Sequence, residues 1–502
     1  PGRSVSSLGE RIMNYKMVLS MIGNILLIEA ALMIPALMIA LIYQESCSGA
    51  LGLSLLLTGA VGLLLKTARP QQRWYGSQEG MMITGFSWIL LSAFGALPFF
   101  LSGQIPSYID AFFETVSGFT TTGSTILRDV EALDHGLLFW RSFTHWIGGM
   151  GILVFLLAIL PQNNAHSLHL MRAESPGPEV SKFVPKIRDS AKILYQIYLL
   201  LTVIMIVCLL IAGMPLFDAL CTAFGTAGTG GFGIWNNSIA HYDNVLIEQI
   251  MAVFMVLFGI NFSLYFLVLH GKLKEALKSE ELHWFLGVVL ISILLIAINI
   301  TPMFGSFLTG WRHSSFAVTS IISTSGFATV DFNLWPSFSR MILCLLMIIG
   351  SCAGSTGGGL KIIRLGILAK SIGCDMKKVI NPRVVRRVHF TGVSVSDAIV
   401  SGIKSYFVIY TFILLTAIVL ISLDGFDLVT TVTSVLTTFN NVGPGLAEVG
   451  PAGNFAAFSP FSKLVFSAAM LLGRLEIYPM IFCFAGLRRK SAKSSVSVRI
   501  SN

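Results

Sequence analysis

The chain has 502 residues, of which 54% are hydrophobic and 12% are charged, and its mean hydropathy is +0.78. Since a soluble domain carries about 25% charged residues, a water-soluble globule, a disordered chain and a disulfide-rich secreted domain are excluded. In such a protein the net charge of +9 is evidence about membrane topology and not about nucleic-acid binding. The seven cysteines show no CxxC spacing that would indicate a metal or redox site.

Residues 1–12 begin Pro-Gly-Arg-Ser, and we expect them to be an expression remnant or a disordered leader outside the fold. After them, apolar segments recur with lengths near the ~20 residues that a helix needs to cross a bilayer. They cover 17–43, 49–66, 80–102, 136–160, 192–213, 245–270, 284–301, 338–373, 396–423 and 460–486. The pattern predicts an all-α polytopic membrane protein.

Four shorter stretches, rich in threonine, serine and glycine, lie between the apolar segments. They cover 108–125, 215–233, 312–328 and 427–445, and each is too short to span a bilayer. Each contains a glycine-bearing string, and the string recurs roughly every 100 residues, which indicates an internal repeat. The four strings are Thr120-Thr121-Thr122-Gly123, Gly228-Thr229-Gly230-Gly231, Ser323-Thr324-Ser325-Gly326 and Asn440-Asn441-Val442-Gly443.

The repeat reduces the ten spans to two leading helices and four copies of one unit, which runs helix, pore helix, string, helix. We expect the copies to surround one ion pore with pseudo-fourfold symmetry. The third copy should have a broken second helix, and the fourth should end in a basic tail. The predicted segments are 13–75 for the N-terminal two-helix extension and 76–187, 188–280, 281–388 and 389–502 for repeats 1 to 4.

Basic residues cluster in the loops that the span count places on one side of the membrane. Residues 361–387 hold eight lysines and arginines against one acid, Asp375. The positive-inside rule makes this side the cytoplasm, so the four strings lie toward the opposite face. Asp110 and Asp218 each lie 13 residues before the last glycine of their string, and we expect both to cap the short helices, with a minor role in attracting cations.

The strings carry the predicted chemistry. Irregular backbone at membrane depth must be buried in protein or line a watery cavity, and four such strings around one axis would surround a cation with carbonyl oxygens in place of its hydration shell. Glycine permits the backbone angles that this needs, and the absence of carboxylates from the strings disfavours a divalent ion. The alternative, that small residues only permit close helix packing, accounts less well for four equivalent strings. The GxGxxG match at 228–233 lacks the preceding strand of a nucleotide site.

A glycine-rich run interrupts the second long helix of repeat 3. With five glycines that each cost about 1 kcal/mol relative to alanine, it should form a loop at membrane depth between two half-helices. Arg474 lies inside the last apolar segment. One interpretation is that it pairs with Glu476 or extends its charged end to the membrane surface. The other is that it contacts carbonyls of this loop, which would then act as a gate, and repels cations until the loop moves. The run is Gly350, Ser351, Cys352, Ala353, Gly354, Ser355, Thr356, Gly357, Gly358 and Gly359.

The strings, the glycine-rich run, Gly148-Gly149-Met150-Gly151 and Gly473-Arg474-Leu475-Glu476 resemble the Trk/Ktr/HKT superfamily of potassium transporters. The resemblance covers nearly the whole chain, and the two leading helices favour its Trk-type membrane subunit. It implies K⁺ selectivity at the backbone carbonyls of the four strings, with gating by residues 350–359 and Arg474. The fourth string departs from the others because it lacks hydroxyl groups.

The resemblance also implies a multi-pass protein of the bacterial inner membrane that forms a homodimer, with one pore per chain, on a cytosolic nucleotide-binding regulatory ring of the Trk-A type. K⁺ is then the bound substrate ion, and no organic cofactor, enzymatic activity or nucleic-acid partner is expected. A K⁺/H⁺ or K⁺/Na⁺ symporter with the same fold is the alternative, although few ionisable residues besides Arg474, Glu476 and His145 are evident within the spans. A membrane enzyme would need clustered acid–base or metal-ligand residues, which the sequence does not offer.

Overall fold

The computed structural model describes residues 14–68, 77–151, 187–383 and 387–475, with residues 477 and 480. The proposed leader at 1–12 and Glu476 therefore lie outside the described residues. Helices dominate the described part of the chain. They are α1 (Tyr15–Leu32), α2 (Ile34–Ile42), α3 (Ser48–Lys66), α4 (Ser77–Gly95), α5 (Leu97–Leu101), α6 (Tyr108–Phe119), α7 (His135–Gly149), α8 (Ile187–Ile211), α9 (Leu216–Gly228), α10 (Val245–Gly259), α11 (Phe262–Leu269), α12 (Leu273–Leu277), α13 (Glu280–Phe304), α14 (Phe307–Ile322), α15 (Ser337–Ile349), α16 (Ile362–Ile380), α17 (Asp397–Ile421), α18 (Leu428–Phe439) and α19 (Pro460–Arg474).

Six helical segments in the described residues are long and apolar enough to cross a membrane. A seventh candidate is the pair α10 and α11, which bends by 92° at a short break. The six segments are Tyr15–Ile42, Ser48–Lys66, Gln78–Leu101, Ala191–Ile211, Glu280–Phe304 and Asp397–Asp424. These segments have many lipid-accessible leucines, isoleucines and valines, as expected where the surrounding solvent is hydrocarbon.

The two leading spans pack closely through small residues. A side chain on Gly23 of α1 would start 2.7 Å from the carbonyl oxygen of Gly62 in α3, and one on Gly62 would start 3.0 Å from the carbonyl oxygen of Gly23. Such contacts let two helix backbones approach each other in a membrane, where apolar burial gives little driving force between helices. The pair also packs on α4, the first helix of the following unit.

Four units of the same design follow the leading pair. Each begins with a long helix, continues with a short helix, and returns through a glycine-bearing string to a further helix. The short helices are α6, α9, α14 and α18, and the long helices that precede them are α4–α5, α8, α13 and α17. The helix after the third string ends at Ile349 and resumes at Ile362, so the predicted half-helix, loop and half-helix are present.

Two ion pairs join neighbouring units near the starts of the short helices. Lys463 of α19 donates to Asp110 of α6 at 2.6 Å, and Arg312 of α14 donates to Glu248 of α10 with two bonds of 2.6 Å. Lys463 and Glu248 occupy the same place, three residues after the start of their helices, yet they carry opposite charges. We call these two pairs the clasps.

A small hairpin links the third unit to the fourth. Strand β1 (His389–Phe390) pairs antiparallel with β2 (Val393–Ser394), with His389 opposite Ser394 and Phe390 opposite Val393. The two turn residues, Thr391 and Gly392, have φ of 48° and 74°, as a two-residue hairpin turn requires. Phe390 packs against Gly366 of α16, which holds the hairpin on the second half-helix.

Candidate functional site

The four strings share one backbone conformation. The second residue of each has a positive φ, at 55° for Thr121, 56° for Thr229, 61° for Thr324 and 55° for Asn441. The fourth residue, always glycine, has φ between 78° and 102°, whereas the first and third residues have no positive φ. Because the sign of φ alternates, successive carbonyl groups turn toward the same side of the string, unlike those of a β-strand. This is the geometry that a lining of carbonyl oxygens requires.

The strings also meet each other in a closed ring. A side chain on Gly123 would start 2.0 Å from the carbonyl oxygen of the third residue of string 2. A side chain on Gly231 would start 1.8 Å from the carbonyl oxygen of the third residue of string 3. The corresponding distances to the third carbonyl oxygen of the next string are 2.3 Å from Gly326 to string 4 and 2.7 Å from Gly443 to string 1. Each glycine is therefore required because the next string's carbonyl occupies the space of a side chain. A cavity lined by all four of these glycines opens beside the ring.

Four short helices point their carboxyl ends at this ring. Helices α6, α14 and α18 end one residue before their strings, and α9 ends at the first residue of its string. A helix carries partial negative charge at its carboxyl end, so four of them favour a cation at the ring. Asp427 caps the far end of α18 through bonds from the backbone N–H groups of Val429 and Thr430, and bonds from the Thr430 side chain and from these amides hold the pKa of Asp427 below its usual range.

The expectation that Asp110 and Asp218 cap their helices is wrong. Ser107 caps α6, because its Oγ accepts a bond from the backbone N–H of Asp110 at 3.4 Å, and the Asp110 carboxylate belongs to a clasp. The Asp218 carboxylate accepts bonds from the hydroxyl of Tyr242 at 2.7 Å and from Trp235 Nε1 at 3.3 Å. Both carboxylates stabilise contacts between elements.

Side chains behind the strings cross-link them. Hydroxyl pairs 2.8 Å apart join the first and third residues of strings 1 and 3. In string 4 amides take the place of the missing hydroxyls. The Asn440 side chain accepts from the Tyr410 hydroxyl at 2.9 Å, and the Asn441 amide donates to Thr122 Oγ1 at 2.9 Å and to the Met470 carbonyl at 3.0 Å. The departure of the fourth string therefore preserves a hydrogen-bonded support.

A buried histidine supports the ring from behind. The Nδ1 atom of His145 lies 2.7 Å from the Gly118 carbonyl, and Nε2 accepts a bond from the backbone N–H of Phe232 at 3.2 Å. The imidazole of His145 is thus neutral, with its proton on Nδ1. A side chain on Gly230 would start 2.4 Å from the imidazole. His145 therefore connects the end of α6 to string 2, and no role in proton transfer follows from these contacts.

An ion pair that sequence reasoning missed lies behind strings 1 and 2. Arg141 Nε donates to Glu114 Oε1 at 2.7 Å, and the two side chains are 3% and 0% exposed. Glu114 also accepts from the backbone N–H of Ile126 at 2.9 Å, and Arg141 donates to the Gly233 carbonyl at 2.8 Å. The pair thus braces the backbone that follows each string. The sequence did contain a sign of this pair, because Arg141 is a charged residue inside an apolar segment, as Arg474 is.

We expect Arg141→Ala to lower the free energy of unfolding by about 3–5 kcal/mol, because Glu114 would remain as a buried charge without its cation. Thermal unfolding of the purified protein in detergent measures this change. Lys404→Ala is the matched control, since it breaks an ion pair with Asp375 whose side chains are 48% and 50% exposed and which should contribute about 0–1 kcal/mol. A loss for Arg141→Ala no larger than that of the control would contradict the bracing role.

The glycine-rich loop, residues 350–361, lies against strings 3 and 4. The backbone N–H of Gly358 donates to Thr324 Oγ1 at 2.7 Å. A side chain on Gly357 would start 2.8 Å from the Ser323 carbonyl oxygen, and one on Gly358 would start 2.4 Å from that of Asn440. These carbonyls belong to the first residues of their strings, at the ends of the pore helices. The loop therefore lies on the side of the ring opposite the cavity that the four glycines line.

The loop is fastened to the break between α10 and α11. The backbone N–H of Phe262 donates to the Gly354 carbonyl at 3.0 Å, and that of Cys352 donates to the Gly259 carbonyl at 3.1 Å. Glu281, at the start of α13, accepts from the backbone N–H of Ala353 at 2.6 Å. Within the loop, the buried Lys361 side chain donates to the Gly357 carbonyl. Glu281 did not stand out in the sequence, and Lys361 was counted there as the first of the cytoplasmic basic residues of 361–387, whereas the structure buries it.

Arg474 joins the loop to the first unit. Its guanidinium donates to the Thr356 carbonyl at 2.6 Å, to the Gly148 carbonyl at 2.5 Å and to the Gly149 carbonyl at 2.7 Å. The last two carbonyls end α7, where the helix dipole favours a cation. The predicted contact between Arg474 and carbonyls of the 350–359 run is therefore present, and the contacts to α7 are additional. The alternative partner, Glu476, lies outside the described residues.

Comparisons with known proteins agree with this architecture. A family model described as "TrkH: Cation transport protein" matches residues 52–494. The Trk system potassium uptake protein TrkH of Salmonella typhimurium is 36% identical over 480 residues, which cover 94% of this chain and 99% of that protein. TrkG of Escherichia coli strain K12, also named a Trk system potassium uptake protein, is 33% identical over 483 residues, 94% of this chain and 98% of that one.

A solved structure is similar as well. The crystal structure of the potassium transporter TrkH from Vibrio parahaemolyticus superposes with a TM-score of 0.84 at 29% sequence identity, covering 93% of this chain and 98% of that one. The fold and the ring thus define a polytopic membrane protein of the cation transport class. The chain belongs to the TrkH family. The predicted fold class, multi-pass location in the bacterial inner membrane and non-enzymatic character are confirmed by this membership.

Proposed function

We propose that the chain takes up K⁺ selectively across the inner membrane through the ring of four strings. The observation that carries this proposal is the closed ring itself, in which alternating φ angles turn the backbone carbonyls of each string toward one side. Carbonyl oxygens in such a cage replace the hydration shell of an alkali ion. The filter residues are then the sixteen residues of the four strings, K⁺ is the substrate ion, and the relatives' names as potassium uptake proteins support the choice of ion.

The loop at 350–359 and Arg474 form the proposed gate. Gly357 and Gly358 lie against the first residues of strings 3 and 4, on the path of an ion that leaves the ring toward the cytoplasm. The Arg474 charge is beside them and disfavours a cation there. Glycine-rich backbone can change conformation at little cost, so loss of the Arg474 contacts would let the loop leave the path.

The proposed assembly is a homodimer on a cytosolic nucleotide-binding ring of the Trk-A type, with one pore per chain. The relatives are named as parts of a Trk system, which supports regulatory partners. The exposed basic residues Lys377, Lys378, Arg383 and Arg387 and the hairpin that follows them offer surface for such a partner. Ion flux with and without a purified regulatory ring tests this part of the proposal separately.

Purified protein in liposomes tests the function. We expect K⁺ influx to exceed Na⁺ influx by at least about tenfold, a preference of ~1.4 kcal/mol. Equal influx of the two ions through protein with the wild-type strings would contradict a K⁺ filter. The reversal potential separates a channel from the alternative symporter, because a potential that follows the K⁺ gradient alone excludes coupling, and one that moves with the H⁺ or Na⁺ gradient requires it.

A further inference from the structure

Glu29, in the last turn of α1, is a buried acid without a hydrogen-bond partner in the described part of the chain. Its side chain is 1% exposed, and neither carboxyl oxygen has a hydrogen-bond partner among the described residues. Other buried acids of this chain differ. Glu114 and Glu248 are paired with arginines, and Glu281 accepts a backbone N–H. Glu29 therefore lacks the compensation that these acids have.

Apolar atoms lie beside the carboxyl group. The point at which a side chain on Gly95 would start lies 3.0 Å from Glu29 Oε1, 2.9 Å from the Thr115 methyl carbon and 2.8 Å from the Phe119 ring. The Thr115 hydroxyl is engaged with the Ala111 carbonyl in its own helix. The carboxyl thus lies where α1, α4 and the first pore helix, α6, meet, and Gly95 leaves the space that it occupies.

The elements around Glu29 supply no cation for it in the described part of the chain. Helices α2 and α5 have no charged residue. The charged residue of α3 is Lys66, and that of α4 is Glu79. Lys66 lies beside Gly23, six residues from Glu29 and therefore about 9 Å along the helix axis. Glu79 is near Asn14, at the start of α1.

The first pore helix offers no cation either. Both of its acids are already paired, Asp110 with Lys463 and Glu114 with Arg141. The phenol of Tyr108 on the same helix is uncharged near neutral pH and donates to the Ala93 carbonyl at 2.8 Å, so it supplies no cation either. An ionised carboxylate without a partner is strongly disfavoured in such surroundings, and the neutral acid is much less so.

We propose that Glu29 is a proton-binding site in the N-terminal helix pair, where the bound proton keeps α1 packed against the first pore helix. The site is outside the ring of strings, so this proton is a structural ligand and not a transported ion. Thr115 and Phe119 lie in the last two turns before string 1, which begins at Thr120. Loss of the proton would force the charge out of its burial and loosen the helix that carries this string.

Infrared difference spectra of the purified protein in lipid test the proposal without any flux measurement. We expect wild-type minus Glu29→Gln at neutral pH to show the C=O stretching band of a protonated carboxylic acid, which carboxylates lack. Glu29→Leu, an apolar side chain of similar size, should remove the same band. Glu275→Gln is the control, because Glu275 is 59% exposed on α12 and should contribute a carboxylate signal instead.

Thermal unfolding against pH gives an independent measurement. The folded state would hold the Glu29 proton at pH values where the unfolded chain, with a glutamate pKa of about 4.3, has released it. The midpoint of the wild type should therefore fall by several degrees relative to Glu29→Gln between about pH 5 and about pH 8. A carboxylate band in the difference spectrum, or parallel pH profiles of the two proteins, would overturn the proposal and leave the K⁺ filter unaffected.

Discussion

Serine at Gly231 is expected to reduce the ratio of K⁺ to Na⁺ flux by at least about tenfold. The side chain would start 1.8 Å from the Ser325 carbonyl oxygen, so this carbonyl has to move. The φ of 78° adds strain, because side chains other than hydrogen disfavour this region. Since selectivity depends on the positions of the carbonyl dipoles around the ion, displacement of one of them should relax it. Flux of each ion into liposomes measures the ratio.

Gly402→Ser is the matched control for this prediction. Gly402 lies on α17 with nothing within 4 Å of the point where its side chain would start, and its φ is not positive. We expect the wild-type ratio for this variant. If Gly231→Ser folds, transports K⁺ and keeps the wild-type ratio, Gly231 does not take part in the filter.

Arg474→Ala is expected to raise K⁺ flux about tenfold in liposomes that contain no regulatory partner. The substitution removes three hydrogen bonds from a charged donor to the Thr356, Gly148 and Gly149 carbonyls, and bonds of this kind contribute ~1.5–3 kcal/mol each. Loss of only about 1.4 kcal/mol of preference for the closed loop suffices for a tenfold rise. The positive charge that repels the ion is removed at the same time.

One variant separates these effects, and a second is a control. Arg474→Lys keeps the charge but loses the planar fork that reaches several carbonyls at once, so we expect an intermediate flux. Arg387→Ala removes an exposed cytoplasmic arginine and should leave flux unchanged. Deletion of Gly357–Gly359 should also raise flux, and if neither this deletion nor Arg474→Ala does so, the gate lies elsewhere in the protein.

The sequence predicted those features that depend on backbone chemistry. Glycines at four equivalent positions marked the strings because no other residue fits beside a neighbouring carbonyl. Five glycines within ten residues marked the broken helix because helix propensity is local. The membrane-spanning helices followed from apolar length, which is visible without any tertiary contact, whereas the side of the membrane assigned from the lysines and arginines of the loops stays a prediction. The segment boundaries from 13 to 502 stay predictions.

Contacts between distant residues were not predictable in the same way. Arg474 bonds to carbonyls 325 and 326 residues earlier in the chain, and carbonyl groups leave no mark in a sequence. The capping role expected for Asp110 failed because Lys463, 353 residues away, competes for the carboxylate. Glu29 was overlooked because one acid in an apolar run is inconspicuous until its neighbours are known.

The clasps bear on how a chain of four like units finds its arrangement. If the second unit closed on the first, Glu248 would face Asp110, and if the fourth closed on the third, Lys463 would face Arg312. Either mispairing brings like charges together in a partly buried place, which is a penalty against the wrong neighbour and not merely a missing attraction. Internal duplication makes the units similar in shape, and the opposed polarity of the clasps disfavours these two wrong neighbours.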